Sequence, residues 1–363
     1  MTAFTDADRA HMARALSLAA RGLQTTAPNP RVGAVIANAD TVLGEGWHER
    51  AGMPHAEVNA IADARARGHD VRGATLYVSL EPCNHRGRTG PCAEAIVAAG
   101  IGRVVAAMPD PNPAAAHGAE RLRAAGVAVD VGLGGAEARE LNLGFVSRMT
   151  RGRPWVRMKV AASLDGRTAL VSGESQWITG EAARTDAHRW RARACAILTG
   201  IGTVRRDDPR LTVRRIDTTR QPRRVVVDRH AETPASARVL AEDGAIIVTA
   251  GARNPDWPDR VEVIGLPDGS GRVDLAAMLD ELARREVNEL HVEAGGRLNG
   301  ALLAASLVDE LLLYVAPSLI GDPARGIAEL PAPLASLGGR VRLALSDVER
   351  VGEDLRIVAR VER

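Results

Sequence analysis

The sequence predicts an α/β protein of two domains, and three observations carry that reading. At 363 residues the chain is long enough for two separate cores. In each half, short apolar runs alternate with segments of helical period, the pattern of a sheet with helices on both faces. Between the halves, Thr150-Arg151-Gly152-Arg153-Pro154 interrupts that pattern, so domains are expected at 1–149 and 150–363.

The first element is a helix opening at Asp6, with Met12, Leu16 and Ala19 on its apolar face and Gly22 at its end. Thr25 to Pro30 is a loop with proline on both sides of Asn29. Val32–Ile36 and Val42–Trp47 read as a hairpin. Ala56 to Arg67 is a helix ended by Gly68. Thr75 to Leu80 is a short buried strand that delivers Glu81-Pro82-Cys83 at its C-terminal end, where ligands collect in open α/β sheets. A helix is expected over 92–99, then the strand 104–108, the loop Asp110-Pro-Asn-Pro, a helix over 120–125 and the strand 127–131.

The stretch from His55 to Cys92 carries the chemistry. It holds His55-Ala56-Glu57, Glu81-Pro82-Cys83 and Cys92, with eight residues between the cysteines. One imidazole and two thiolates suit zinc, and three protein ligands leave a tetrahedral position open, as in a catalytic site. A water there has its pKa drawn toward neutrality and becomes a nucleophile at physiological pH. Positions i and i+2 lie nearly opposite on a helix, so His55 and Glu57 can share one ion only at the helix N-terminus. Glu57 then acts on the water as general acid/base. Cys92 at the start of its helix sits at a positive helix end, which favours the thiolate. The pattern follows the H-x-E…P-C…C logic of zinc deaminases of bases, except that the nucleic-acid signature closes as P-C-x-x-C. A structural zinc site would need a fourth protein ligand, for which His85 is the nearby candidate.

The second half repeats the alternation: strand 155–161, helix 181–193, strands 196–200, 224–227 and 245–248, helix 275–285, strand 289–293, helix 298–305 and paired strands near the end. Gly295-Gly296 between strand and helix, and Gly200-Ile201-Gly202-Thr203 after another strand, allow a backbone to approach a pyrophosphate; a plain turn is the bland alternative. The full G-x-G-x-x-G fingerprint is absent at the Gly295 turn, which argues against a Rossmann domain there. Arg191 and Arg214 suit phosphate recognition, because guanidinium is a planar fork.

Composition excludes several classes. A formal charge of +2 spread over this length gives a weak field, and two Tyr and two Phe leave few stacking platforms, so no nucleic-acid partner is expected. No secretory leader and no membrane-length apolar run is found. Three cysteines, two of them assigned to metal, suit a reducing compartment, so a cytoplasmic location is expected.

Taken together these motifs resemble the bifunctional deaminase/reductases of riboflavin biosynthesis. In the first half the resemblance rests on Pro28-Asn29-Pro30-x-Val32-Gly33, Gly46-Trp47-His48, His55-Ala56-Glu57-Val58, the run from Glu81 to Thr89, Pro91-Cys92 and Asp110-Pro-Asn-Pro. In the second it rests on Ser163-Leu164-Asp165-Gly166-Arg167, the run from Ser172 to Ile178, Asp207-Asp208-Pro209, Leu211-Thr212-Val213-Arg214 and Val292-Glu293-Ala294-Gly295. The eight-residue cysteine spacing belongs to this family. Ala27 stands where the family usually has Ser, and Ala114 to His117 replaces its usual segment; both lie in loops, so these departures bear on local substrate contacts and not on the metal site.

The resemblance implies a cytidine-deaminase-like three-layer domain followed by a dihydrofolate-reductase-like domain. It implies one zinc on His55, Cys83 and Cys92, proton transfer by Glu57, and a pyrimidine pocket lined by Asn29, His48, His85 and Arg88. For the second domain it implies NADPH contacts at Ala161, Trp177, Thr203, Asp207, Arg229 and Gly295-Gly296-Arg297-Leu298. Substrate contacts are implied at Ser175, Arg191, Leu211, Arg214 and Glu293. The reaction would be hydrolytic deamination of 2,5-diamino-6-(5-phosphoribosylamino)pyrimidin-4(3H)-one, then reduction of the ribosyl arm of the product to ribityl. A homodimer is a family-based expectation. Two alternatives compete with this reading: a nucleic-acid base deaminase with a C-terminal targeting domain, and a zinc-stabilised binding protein. Arg229 is the candidate reader of the NADPH 2′-phosphate, with Arg223 and Arg224 as fallbacks. Lys159 is the single lysine of the chain. Lysine can be tuned toward proton transfer, which arginine cannot, so Lys159 and Glu293 are expected to flank the ribosyl C1′, with Lys159→Arg lowering turnover at least about tenfold.

Overall fold

The computed structural model describes residues 4–85 and 90–362. The chain divides into two units, Met1–Arg151 and Gly152–Arg363.

In the first unit the elements are α1 (Asp6–Ala20), β1 (Gly33–Asn38), β2 (Thr41–Trp47), α2 (Ala56–Ala66), β3 (Thr75–Val78), α3 (Cys92–Ala99), β4 (Arg103–Ala106), α4 (Gly118–Ala124), β5 (Ala128–Val131), α5 (Gly135–Leu141) and α6 (Leu143–Arg151). The sheet order is β2-β1-β3-β4-β5. β1 runs antiparallel to β2 and β3, while β3, β4 and β5 are parallel. The layers are set by small residues. A Cβ on Gly33 would enter the backbone of α1 at Ala15 and Ala19, and one on Gly44 or Gly46 would enter α2 at Ala60. The β1/β2 register puts Gly33 beside Trp47 and Gly46 beside Ala34. Gly33 and Gly46 therefore face opposite ways, with α1 on one face and α2 on the other. The core between them is aliphatic, including Val35, Ile36, Leu76, Ile96 and Val104.

Two helices of this unit, α5 and α6, had no counterpart in the sequence reading. They are separated by Asn142, whose buried side chain accepts from Arg31 N and donates to the carbonyls of Arg31 and Ala138. The break expected after 149 falls within the last turn of α6.

The second unit contains β6 (Trp155–Ser163), β7 (Arg167–Ala169), α7 (Glu181–Arg193), β8 (Ala196–Gly200), α8 (Ile201–Asp207), β9 (Arg223–Val227), β10 (Ala245–Thr249), β11 (Glu262–Gly265), α9 (Leu275–Arg284), β12 (Glu289–Val292), α10 (Gly296–Ala304), β13 (Glu310–Ala316), β14 (Arg325–Gly326), β15 (Leu343–Val351) and β16 (Asp354–Val361). Its sheet has nine strands in the order β11-β10-β9-β8-β12-β6-β13-β16-β15. All pairs from β11 to β13 are parallel; β16 and β15 extend the sheet antiparallel. β7 and β14 form a separate two-stranded ribbon. Runs such as Ala245–Thr249 are buried throughout, as strands covered on both faces must be.

Candidate active sites

The first site is assembled at two helix starts and one strand end. His55 is the N-cap of α2, in extended conformation, and Glu57 is the second helical residue. An N-cap side chain lies across the helix end and not along a flank, so both residues can face one point. Cys83 follows β3, and Cys92 is the first residue of α3. His55 Nδ1 lies 3.1 Å from Cys92 Sγ and 3.5 Å from Cys83 Sγ. One donor atom from each residue lies within 4.8 Å of the others, and both cysteines are buried. A tetrahedral zinc separates such ligand atoms by about 3.5–3.8 Å, so this donor set fits it. Among the described residues no fourth donor joins the cluster. His85 stays outside it, with a buried Nδ1 that has no partner. Three ligands make the open, catalytic form of the site.

Electrostatics agree with that use. Burial raises the Glu57 carboxyl to about 7, against the opposing pull of His55. The thiols depart from the helix-end expectation: the hydrogen bond from Cys92 lowers the Cys83 thiol, whereas the same contact, with burial, raises that of Cys92. Burial also lowers His48, whose neutral ring is held at both nitrogens. Its Nδ1 is 3.1 Å from the Pro54 carbonyl and its Nε2 3.0 Å from the Asn29 amide nitrogen. Nδ1–H therefore donates to Pro54 and Nε2 accepts from Asn29. The His48 and His55 rings meet edge-on at 5.2 Å. Asn29 and His48 thus border the donor cluster. Arg88 lies outside the described residues.

The Cys83 segment is fixed from below. Glu81, buried, accepts from Asp110 N at 3.1 Å and from Ala119 N at 2.9 Å. At Gly118 a Cβ would overlap the Pro82 carbonyl oxygen. Ala115 packs on Cys83 and Cys92, so the Ala114 to His117 segment touches the candidate metal site, contrary to the expectation that it bears on substrate contacts alone. Asp110, quoted in the sequence only as part of a motif, stands near His55 and Cys83. Burial raises its carboxyl to about 6, with Glu81 adding to the effect. The Asp-Pro-Asn-Pro turn was the available signal for it.

In the second unit, β12 and β6 are paired with His291 opposite Arg157, which brings Glu293 level with Lys159 two residues on. Arg191 from α7 grips Glu293 in a two-pronged ion pair, Nε–Oε1 2.6 Å and Nη2–Oε2 2.7 Å, and donates through Nη1 to the Thr212 carbonyl at 3.0 Å. The planar fork expected to take a phosphate is thus engaged with Glu293. Burial alone would raise the Glu293 carboxyl; Arg191, His291 and Lys159 outweigh it and hold it well below the usual carboxylate range. Burial lowers the Lys159 amine, with Glu293 opposing, and its Nζ lies 5.8 Å from the centre of the Tyr314 ring. Arg214 is exposed; burial and then the neighbouring Arg191 and Arg215 lower its guanidinium, with Glu293 opposing. Leu211 is buried beside Thr212 with positive φ, and Ser175 sits half-buried before α7.

The neighbouring parallel strands β8 and β12 end at two helix starts. Gly200 and Gly295 are the N-caps of α8 and α10, and neither helix has a side-chain cap. Unsatisfied N–H groups at such ends are ready to meet a pyrophosphate. A Cβ on Gly295 would lie 3.9 Å from Thr203 Oγ1, and one on Gly200 would lie 3.4 Å from Leu298 Cδ2, so these residues share one place. Gly296 and Arg297 lie in the first turn of α10, with Arg297 exposed. Asp207 ends α8, and Ala161 lies half-buried on β6. Trp177 stands exposed, with the Arg184 guanidinium 4.6 Å from its ring centre. Arg229 is exposed just beyond β9, and Arg223 is exposed on it. Arg224 is removed as a fallback: its buried guanidinium donates to the carbonyls of Val239, Glu242 and Asp243.

Fold and donor set define the class: a zinc-site deaminase unit of cytidine-deaminase type followed by a dihydrofolate-reductase-like reductase unit. Residues 5–108 match the family pattern described as "Cytidine and deoxycytidylate deaminase zinc-binding region", and residues 154–357 that described as "RibD C-terminal domain". A curated relative, "Riboflavin biosynthesis protein RibD" of Escherichia coli (strain K12), is 45% identical over 96% of this chain and 98% of its own length. The same-named protein of Aquifex aeolicus is 40% identical over 96% and 97%. Among solved structures, Acinetobacter baumannii RibD superposes with a TM-score of 0.90 at 41% identity, covering 98% of this chain and 99% of the other. The Thermotoga maritima diaminohydroxyphosphoribosylaminopyrimidine deaminase/5-amino-6-(5-phosphoribosylamino)uracil reductase gives 0.89 at 34%, with the same coverage. The chain belongs to the RibD family of bifunctional riboflavin-biosynthesis enzymes.

Proposed function

We propose that this chain catalyses two consecutive steps of riboflavin biosynthesis. The first is hydrolytic deamination of 2,5-diamino-6-(5-phosphoribosylamino)pyrimidin-4(3H)-one. The second is NADPH-dependent reduction of the ribosyl arm of 5-amino-6-(5-phosphoribosylamino)uracil to ribityl. The observation that carries this reading is a three-donor cluster beside a buried Glu57 in a chain whose relatives match it along both units. The nucleic-acid deaminase alternative is not favoured, because the match to RibD proteins runs through the reductase unit as well.

His55, Cys83 and Cys92 would hold zinc, which when bound supplies a Lewis acid that makes water a nucleophile near neutral pH. With its carboxyl near 7, Glu57 can take a proton from that water and return it to the leaving amine. Asn29 and His48, fixed to each other, would orient the pyrimidine, with His85 and Arg88 completing the pocket. In the second unit NADPH supplies a hydride for C1′. The uncapped starts of α8 and α10 would receive its pyrophosphate, with Ala161, Trp177, Thr203, Asp207 and Leu298 around it. The exposed Arg229 would read its 2′-phosphate. Glu293 would match the positive charge that develops on the arm, with Lys159 beside its oxygens. Ser175, Leu211 and Arg214 would line the phosphoribosyl site.

A cytoplasmic location fits three cysteines free of disulfides and would be checked by fractionation of cells producing the protein. Among the described residues no helix is long and apolar enough to cross a membrane. A homodimer fits the exposed edge strand β15, where Leu345 is 68% and Val348 54% accessible.

The test is a pair of assays on one preparation. Glu57→Gln should retain one zinc per chain and lose ammonia release by about a hundredfold or more, since an amide cannot carry the proton. NADPH oxidation with the deaminated intermediate should continue. Parent-level deamination by the variant, or by metal-free protein, would refute the reading.

A further inference from the structure

The mechanism leaves one buried group of the reductase unit unused. His291 lies in the middle of β12 and is fully enclosed. Its neighbours in the sheet are Arg157 on β6 and Ile197 on β8. Alternation along β12 puts Glu289, His291 and Glu293 on one face, and alternation along β6 puts Arg157 and Lys159 level with the last two. This face lies under α7, from which Trp190 covers Arg157 at 4.5 Å and Arg191 grips Glu293. His291 Nε2 stands 3.3 Å from Glu293 Oε1, and neither ring nitrogen has an aligned hydrogen-bond partner. A buried polar ring without partners is unusual in a native core and calls for a reason.

We propose that His291 is a positioning residue for Glu293: its neutral ring, with the proton on Nε2, donates to Oε1 and holds the carboxylate turned toward Lys159. The inference rests on the role given to Glu293 above. Three observations support it. Glu293 is ionised and can only accept, so a neutral imidazole beside it must carry its proton on the facing nitrogen. Arg191 occupies the carboxylate from the helix side, and His291 approaches from the strand side, so rotation of the carboxylate is opposed from two directions. The 3.3 Å separation leaves only a small turn of the ring to align such a bond.

On this face of the sheet the ionisable groups are Glu289 and Glu293 from the ring's own strand, Arg157 and Lys159 from β6, and Glu310 and Tyr314 from β13; α7 adds Arg191 on Glu293 and Arg193 on Glu289, with His188 near Glu293, and the β8 neighbour is Ile197. Arg157 is already matched by Glu289 and Glu310, which leaves Glu293 as the carboxylate His291 serves. Burial, with Arg157 and Arg191 nearby, disfavours a charged ring.

Four substitutions test this on the full-length protein, with ammonia release as an internal control for intact protein. His291→Leu removes the donor. Its reductase kcat should fall about tenfold, and the acid limb of its pH profile should move up by about one unit, because a carboxylate that loses a hydrogen bond protonates more readily. In His291→Gln the amide nitrogen stands in for Nε2, and rate and profile should return to within about twofold of the parent. His291→Asn, whose amide stops short of that point, should behave like the Leu variant. If the Leu protein loses its reductase fold, the contrast between Gln and Asn decides. Parent rate and profile in the Leu or the Asn variant overturn the proposal. Glu293→Gln separates the two claims: if it reduces the intermediate at the parent rate, the role of Glu293 fails and this inference with it. If it is impaired while Leu and Asn are not, only the inference about His291 fails.

Discussion

At the scale of residues, the two sites differ in how their chemistry is tuned. Glu57 is raised toward neutrality by burial, which suits a group that both takes and gives a proton. Glu293 is driven the other way although burial alone would raise it, because Arg191 faces it at hydrogen-bond distance. It is therefore a fixed negative charge and not a proton donor. The proposed discrimination between cofactors is also placed on a single residue. Arg224 spends its donors on backbone carbonyls, whereas Arg229 is exposed at the end of β9. Arg229→Ala should reduce the NADPH-over-NADH preference in kcat/KM by about tenfold or more, the cost of one charge-assisted contact of about 1.5–3 kcal/mol. An unchanged ratio would move the assignment to Arg223.

At the scale of elements, the zinc cluster depends on how tightly α4 approaches the Pro82-Cys83 turn. Gly118 has no room for a side chain there, and Glu81 ties the same turn to the Asp110 loop and to Ala119. Gly118→Ala should displace the Pro82 carbonyl, lower stability by about 1–3 kcal/mol as overpacking does, and leave less than one zinc per chain. Thermal unfolding and metal analysis check both; normal zinc content with parent stability would contradict the packing argument. Elements were legible in the sequence where local signals coincide. α3 runs from Cys92 to Ala99 and α7 from Glu181 to Arg193, as the sequence predicts. Both end where local chemistry changes, α3 at a left-handed Gly100. The His55, Glu57, Cys83 and Cys92 cluster was legible for the same reason: short-range spacing encodes it. β7 and β14 have too few residues to show a period, and α5 and α6 are cut by Asn142, whose bonds to the Arg31 backbone join positions far apart in sequence. The Arg191–Glu293 grip joins residues far apart in a chain rich in arginine, so nothing local announces it.

At the scale of the whole molecule, the proposed dimer rests on one edge of the reductase sheet. β15 pairs with β16 on one side only, and its residues from Leu343 to Arg350 are all exposed. A partner copy laid along this edge would cover Leu343, Leu345 and Val348. Light scattering at micromolar protein should give twice the mass of one chain, and Leu345→Arg with Val348→Arg should shift it toward the single-chain mass. A parent protein that is monomeric at those concentrations rules the dimer out. The same edge has a second consequence, for handling and not for catalysis. An unpaired strand accepts any extended backbone in register, native or not. A chain diluted below its dimer affinity would then carry an open template for misassembly. If self-pairing is what keeps that edge closed, its tendency to precipitate should grow on dilution and warming, the reverse of ordinary colloidal behaviour.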